Sequence, residues 1–199
     1  MVATKPRFLI LGWALALAFA YLLPLTNAIS QVGGHYGQQA KCPEGEPVTA
    51  ICSSERNEDC GGKVNRLWCD SSKIEYASGT YDVFPKDSPG WGFYANCNYN
   101  QVAAGVCSSG GNKDCGGRSH KVWCASIDTV KMKILPTIDY KCCGYGAKCS
   151  CDAGWFATGF AASGSYADHN CPNGGKSHTG VRCQQVVCNA GCKYCRDEC

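Results

Sequence analysis

What this sequence lacks removes several classes of function. No Asn-x-Ser/Thr triplet occurs, so N-linked glycosylation is not expected. No basic stripe stands out. Beyond residue 28, 17 Lys and Arg face 16 Asp and Glu, which makes nucleic acid and anionic membranes poor partners. No Gly-x-Ser-x-Gly or Cys-His motif marks a nucleophile. The runs SSERNED (53–59) and SSGGNKD (108–114) carry oxygen donors but not the ligand spacing of an EF-hand loop. No long stretch shows helical periodicity before the C-terminal end.

Only one segment is apolar enough to concern a membrane. Lys5 and Arg7 precede an almost wholly apolar run from Phe8 to Leu25, and Thr26-Asn27-Ala28 follows with small residues where a signal peptidase inspects. This reads as a secretory signal peptide cleaved after Ala28, with a membrane anchor as the competing reading. The mature chain, residues 29–199, is then about 171 residues, enough for one domain with its own core. All 18 cysteines lie in that part. In a secreted chain an even, dense cysteine set reads as a disulfide framework, because the secretory pathway oxidises thiols; zinc is the competitor.

The cysteines also expose a repeat. Unit one has them at 42, 52, 60 and 69, and unit two at 97, 107, 115 and 124, with gaps of 10, 8 and 9 in both. CSSERNEDCGG (52–62) and CSSGGNKDCGG (107–117) share their frame, and WC closes both units. A worn third copy runs from Cys151 through Cys171 to Cys183, with Ala161 at the fourth cysteine position. GGKSH (174–178) aligns with GGRSH (116–120) and GGKVN (61–65), which makes His178, His120 and Asn65 equivalent.

Each unit has the grammar of a hairpin. First arms are VTAIC (48–52), VAAGVC (102–107) and FATGFAA (156–162); second arms are VNRLWC (64–69), HKVWC (120–124) and TGVRC (179–183). Loops of Ser, Asn, Asp and Gly separate them. The connections KIEYASGTYDVF (73–84) and TVKMKIL (129–135) are also strand-like. The expectation is an all-β domain of three similar sheets that bury each other's apolar faces.

Spacing alone does not determine connectivity. The repeat suggests outer bridges Cys42–Cys69, Cys97–Cys124 and Cys151–Cys183, and loop bridges Cys52–Cys60 and Cys107–Cys115. Ala161 would leave Cys171 free. In the tail (184–199), Cys188, Cys192, Cys195 and Cys199 are spaced four, three and four, which places them on one face of a helix. The favoured reading staples that face to Cys142, Cys143, Cys149 and Cys171; a metal site or a CKYC redox pair competes with it.

CDAGWFATGFA (151–161), a polar loop containing Asp168 and GVRC (180–183) resemble a repeat of the vitelline membrane outer layer protein I family. PGWGFYANC (89–97) is similar to that family's Trp-Gly lead-in. The resemblance implies a β-prism of three Greek-key sheets about a pseudo-threefold axis, a secreted egg-coat or mucosal role, and contact with chito-oligosaccharides. The extra cysteines of units one and two and the tail after Cys188 depart from the family pattern.

The candidate site residues are weighed against scaffold roles. Asp59, Asp114 and Asp168 recur once per unit. A glycosidase needs two carboxylates about 5 to 10 Å apart, whereas threefold-related loops point three ways, so turn capping is the expected role. His120 and His178 are expected at a surface or strand edge, and His35 and His169 are isolated. Trp68 and Trp123 precede inward cysteines, so alternation turns them outward or toward an interface. Trp91, Phe93, Tyr94 and Tyr99 cluster around unit two, and Trp155 opens unit three. Trp91, Tyr94, Trp155 and Asp168 are the candidate glycan-binding residues. No catalytic residue, metal or cofactor is expected. The expected function is a secreted structural component of a coat or matrix, with matrix components and oligosaccharides as partners. A lectin-like effector or toxin is the alternative, and a glycan-processing enzyme is a third reading.

Overall fold

The three cysteine units fold as three hairpins, and each hairpin is the centre of its own four-stranded sheet. The computed structural model describes residues 29–35, 37–54, 59–71, 74, 83–88, 92–108, 115–116, 120–162, 169–171 and 175–189. Among them every regular element is a strand. Before its hairpin each unit contributes two further strands. Unit one supplies β1 (Ile29–Gly34), β2 (Ala40–Lys41), β3 (Val48–Ser53) and β4 (Asn65–Asp70). Unit two supplies β5 (Val83–Asp87), β6 (Ala95–Asn96), β7 (Gln101–Ser108) and β8 (His120–Ser126). Unit three supplies β9 (Met132–Cys143), β10 (Cys149–Ser150) and β11 (Trp155–Ala162), then a small hairpin, β12 (His169–Cys171) with β13 (Gly175–Ser177), and β14 (Thr179–Cys188).

The sheets run β1-β4-β3-β10, β5-β8-β7-β2 and β9-β14-β11-β6. The connection 129–135 runs into β9 and the last residues of 73–84 into β5, outer strands paired to the second arm of their own hairpins; of residues 73–82 only Ile74 is described. The short strand is never paired at home. β2 precedes the first hairpin and completes the second sheet, β6 completes the third, and β10 completes the first. This cyclic exchange closes three sheets into one β-prism-like body, since no sheet is finished without its neighbour.

A shared irregularity makes the exchange work. Each first arm has a bulge at the same place, between Val48 and Ala50, Ala103 and Gly105, and Ala157 and Gly159. The bulged residue's carbonyl is released from the home ladder. Thr49 O accepts from the Cys151 N–H at 2.9 Å, Ala104 O from Cys42 at 2.9 Å, and Thr158 O from Cys97 at 2.8 Å. The opening cysteine of every unit is thereby hydrogen-bonded to another unit's sheet. A second tie lies at the hairpin tips. The N–H groups of Gly37, Gly92 and Gly146 donate to Ser108 O, Ala162 O and Ser53 O at 3.3, 3.2 and 3.2 Å. All three glycines have φ between 63 and 69°, a left-handed turn that disfavours a side chain.

Inward-facing residues stack in matching layers. Val48, Ala103 and Ala157 lie across from Cys69, Cys124 and Cys183; Ile51, Val106 and Phe160 lie across from Leu67, Val122 and Val181. All twelve belong to one buried cluster. Each large aliphatic or aromatic side chain there contributes about 1.5–3 kcal/mol by leaving water. The next layer toward the tips is more polar: Ser53 with Asn65, Ser108 with His120, and Ala162 with Thr179. Thr179 Oγ1 donates to Ser53 O at 3.2 Å and joins the first and third units there. A second apolar cluster of Val102, Ile127, Met132, Ile134 and Phe156 fills the opposite end.

All five expected bridges are present. Three expectations are corrected. First, Cys143 pairs with Cys149, so neither is available to the tail. Second, Cys188 ends strand β14, so no helix begins there; residues 190–199, with the other tail cysteines, lie outside the described residues. Cys188 and Cys142 are both bridged but not to each other. Cys188 lies opposite Met132 and Gly180 lies opposite Cys142, so ten residues of β9 (142 − 132) separate the two cysteines. That is roughly 30 Å at strand rise, far beyond disulfide reach. Third, the strand register makes Thr179, not His178, the counterpart of His120 and Asn65. The cysteine that closes each second arm sets that register, and four residues separate His178 from Cys183 where three separate His120 from Cys124 and Asn65 from Cys69, which offsets the GGKSH string by one.

Candidate functional site

The described parts of the repeated CSS…DCGG tips are held by bridges and backbone contacts. Cys52–Cys60 and Cys107–Cys115 close each tip. Gly61 and Gly116 turn with φ of 66 and 62°. Their carbonyls accept from Arg66 (2.6 Å) and Lys121 (3.5 Å), cations at matching strand positions. At Asp59 the turn is closed by the backbone N–H donating to Ser54 Oγ at 3.2 Å, so the serine does the capping expected of the aspartate. Asp114 and Asp168 lie outside the described residues.

His120 and His178 have packing roles. His120 is fully buried, not at the surface as expected. Its Nε2 lies 2.7 Å from Phe93 O, and its ring stands edge-on to Phe160 at 5.6 Å. Burial wins because the position faces the polar layer at the tip, where the lead-in of unit two offers a carbonyl. His178 packs against Tyr145 at 5.2 Å, and His35 Nε2 lies 2.6 Å from Lys63 Nζ.

Two of the four candidate glycan residues, Tyr94 and Trp155, fall within the described residues. Trp91 and Asp168 lie outside the described residues. Tyr94 packs edge-on against Tyr140 at 5.1 Å on the third sheet. Burial, and secondarily Tyr140, pushes the Tyr94 hydroxyl's pKa well above its ordinary value. Nearby, Phe93 and Tyr99 are exposed, at 61 % and 80 %. Trp155 borders a recess. It follows a tight turn in which its N–H donates to Asp152 O at 3.0 Å and Gly154 takes φ 77°.

That recess is a cleft of about 370 Å³ at the seam where β10 crosses from the third unit to the first sheet. Its lining includes Ile29 and Asp70 of the first sheet, Thr49 and Ala50 at the bulge, and Lys148, Asp152 and Trp155 of unit three. Its polar groups are largely held in place. Lys141 Nζ bonds Asp152 at 3.0 Å and Asp139 at 2.7 Å. These bonds, that to Asp139 foremost, raise the Lys141 pKa. Lys148 Nζ lies 4.6 Å above the ring of Trp68, which faces outward as the alternation predicts. The cleft thus offers an indole edge, two carboxylates and an ammonium. Sequence reading found Trp155 but missed Asp70, Lys148 and Asp152. Asp70 follows the last cysteine of unit one and Asp152 the first of unit three, positions that the bridges fix at the seam. Among the described residues no cluster of His, Cys, Asp and Glu could hold a metal.

Comparisons with protein-family models, curated proteins and solved structures gave no match.

Proposed function

We propose that the protein is a secreted structural component of an extracellular coat or matrix, with weak glycan contact at the Trp155 cleft. The observation that carries this reading is the closed body itself. Three sheets complete one another in a ring, every unit is tied by an outer bridge, and the tips of units one and two are closed by their own. Such bridges limit the unfolded state and resist proteolysis, which suits long residence outside the cell. The resemblance of residues 151–183 to the vitelline membrane outer layer protein I repeat fits the same reading, as does the three-sheet arrangement. The cleft supports the glycan part, since an aromatic edge beside fixed polar groups is a common way to hold a sugar ring. The mechanism is adhesion and endurance.

The test has two parts. Fractionation of the native tissue is expected to find the protein retained in an insoluble matrix. Titration with chito-oligosaccharides is expected to change tryptophan fluorescence, with Trp155→Ala weakening binding about two- to tenfold, from the roughly 0.5–1.5 kcal/mol of an aromatic contact. A freely soluble protein with glycan binding would favour the lectin-like effector, for which the exposed Phe93 and Tyr99 are a ready contact surface. Turnover of the oligosaccharide would revive the enzyme reading.

A further inference from the structure

β1, β5 and β9 hold the same outer place in the three sheets, and they are guarded differently. The register equates Ser30, Phe84 and Asp139, each across from the cysteine that closes its unit's second arm, and hence Gln31, Pro85 and Tyr140. β5 is closed to pairing by Pro85, which has no N–H, and by Lys86 and Asp87. β9 carries Pro136 and the Asp139–Lys141 ion pair, and its Tyr140 packs against Tyr94. β1 reads ISQVGG, with neither proline nor charge. The opposite edges of the three sheets are two-residue strands, too short to recruit another chain. We infer that β1 is a self-association edge: two copies pair their β1 strands antiparallel about a twofold axis and join their first sheets into one continuous sheet.

The backbone is turned for this. The Asp70 N–H donates to Pro47 O at 3.0 Å on the β3 side, so Ile29 and Asp70 form a non-hydrogen-bonded pair. By alternation Ser30, Val32 and Gly34 bond β4, while Ile29, Gln31 and Gly33 turn N–H and C=O to the open edge. Those three are also the exposed residues of the strand. Among the described residues no strand pairs with this edge, and the one unguarded outer strand that could answer it is β1 of a second copy. Centred on Gln31 across from the partner's Gln31, the pairing sets Ile29 across from the partner's Gly33. The side chains suit it. Amide meets amide at the axis, and Ile29, 55 % exposed, meets a glycine. Glu46 and Asp70 flank the Ile29 end of β1, whereas Arg66 and the stem of Lys63 flank Gly33. Antiparallel pairing lays the acidic end of each copy beside the basic end of the other. Because Ile29 and Asp70 also line the Trp155 cleft, the dimer carries two clefts on one sheet and is bivalent for glycan. That consequence rests on the glycan reading above; the pairing does not.

The experiment is sedimentation velocity of the full chain as processed by a eukaryotic host, from ~1 μM to ~1 mM, the range of weak interfaces. Amide exchange and chito-oligosaccharide titration run in parallel. A dimer should form as concentration rises. At the top of the range the Gln31 and Gly33 amides should exchange about tenfold more slowly than at the bottom, while the Val32 amide, bonded to β4, should not change. Gln31→Pro copies the guard at Pro85, and Gln31→Lys sets like charges opposite each other at the axis; each should weaken dimerisation about tenfold or more with the monomer's circular dichroism unchanged. If Gln31→Pro disturbs the fold, Gln31→Lys decides. A parent that stays monomeric throughout, or a dimer that Gln31→Lys leaves intact, would overturn the inference. Dimerisation with no chito-oligosaccharide response supports the pairing and overturns the glycan reading alone.

Discussion

Removing the Cys107–Cys115 bridge, by changing both residues to Ala, tests whether the repeated tip is scaffold or site. The bridge closes a span of eight residues. Loop-closure entropy for that span is worth about 2.5 kcal/mol. In a chain of this size each kcal/mol moves the melting temperature by about 2–4 °C, so the double variant should melt about 5–10 °C lower. The outer bridge Cys97–Cys124 closes 27 residues; its removal should cost about 3.5 kcal/mol, or about 7–14 °C. Both residues must be replaced together, so that no single thiol can exchange into a neighbouring bridge. The assay is thermal unfolding by circular dichroism without reductant, with oligosaccharide titration in parallel. The scaffold account expects the tip variant to lose stability in that order and to keep its ligand response at low temperature. An unchanged melting temperature with loss of ligand response would refute it and make the tip a working site.

Three further outcomes follow from the geometry. A Cβ at Gly105 would stand 2.8 Å from Ala40 O and 3.3 Å from Lys41 Cα in the strand donated by unit one. Gly105→Ala should therefore cost about 1–3 kcal/mol in urea unfolding, whereas Gly144→Ala, which meets nothing within 4 Å, should be near neutral. Because Asp139 and Asp152 raise the Lys141 pKa, this group's contribution is complete below about pH 10.4 and is lost as pH rises past the folded value. Any stability difference between the parent and Lys141→Gln should thus shrink on the strongly alkaline side, read as melting temperature against pH. Tyr94, whose burial and proximity to Tyr140 raise its pKa, should stay protonated well above the ordinary tyrosine range; Tyr94→Phe should remove a late component from the tyrosine absorbance titration.

The repeat was legible because the bridges themselves are periodic. Equal cysteine gaps marked equal hairpins, and alternation placed Trp68 outward beside the inward Cys69. The cyclic exchange was not legible, because β2, β6 and β10 are two residues long and carry no period. A weak trace of it does exist. Tyr36-Gly37, Trp91-Gly92 and Tyr145-Gly146 each stand five residues before the opening cysteine, counted from the glycine. The glycines are the residues that bond the neighbouring tips. In sequence position Trp91 thus corresponds to Tyr145. Cys143–Cys149 escaped because it belongs to no repeat position: Cys149 occupies the short-strand place held by Ala40 and Ala95. The cleft escaped because its walls come from β1, β4 and the turn of unit three, segments far apart in sequence.

The most direct test of the central claim is disulfide mapping of the native protein by non-reducing proteolysis and mass spectrometry. The account predicts Cys42–Cys69, Cys52–Cys60, Cys97–Cys124, Cys107–Cys115, Cys143–Cys149 and Cys151–Cys183. A peptide joining Cys52 to Cys107, or Cys149 to the tail, would contradict the three self-contained hairpins on which it rests.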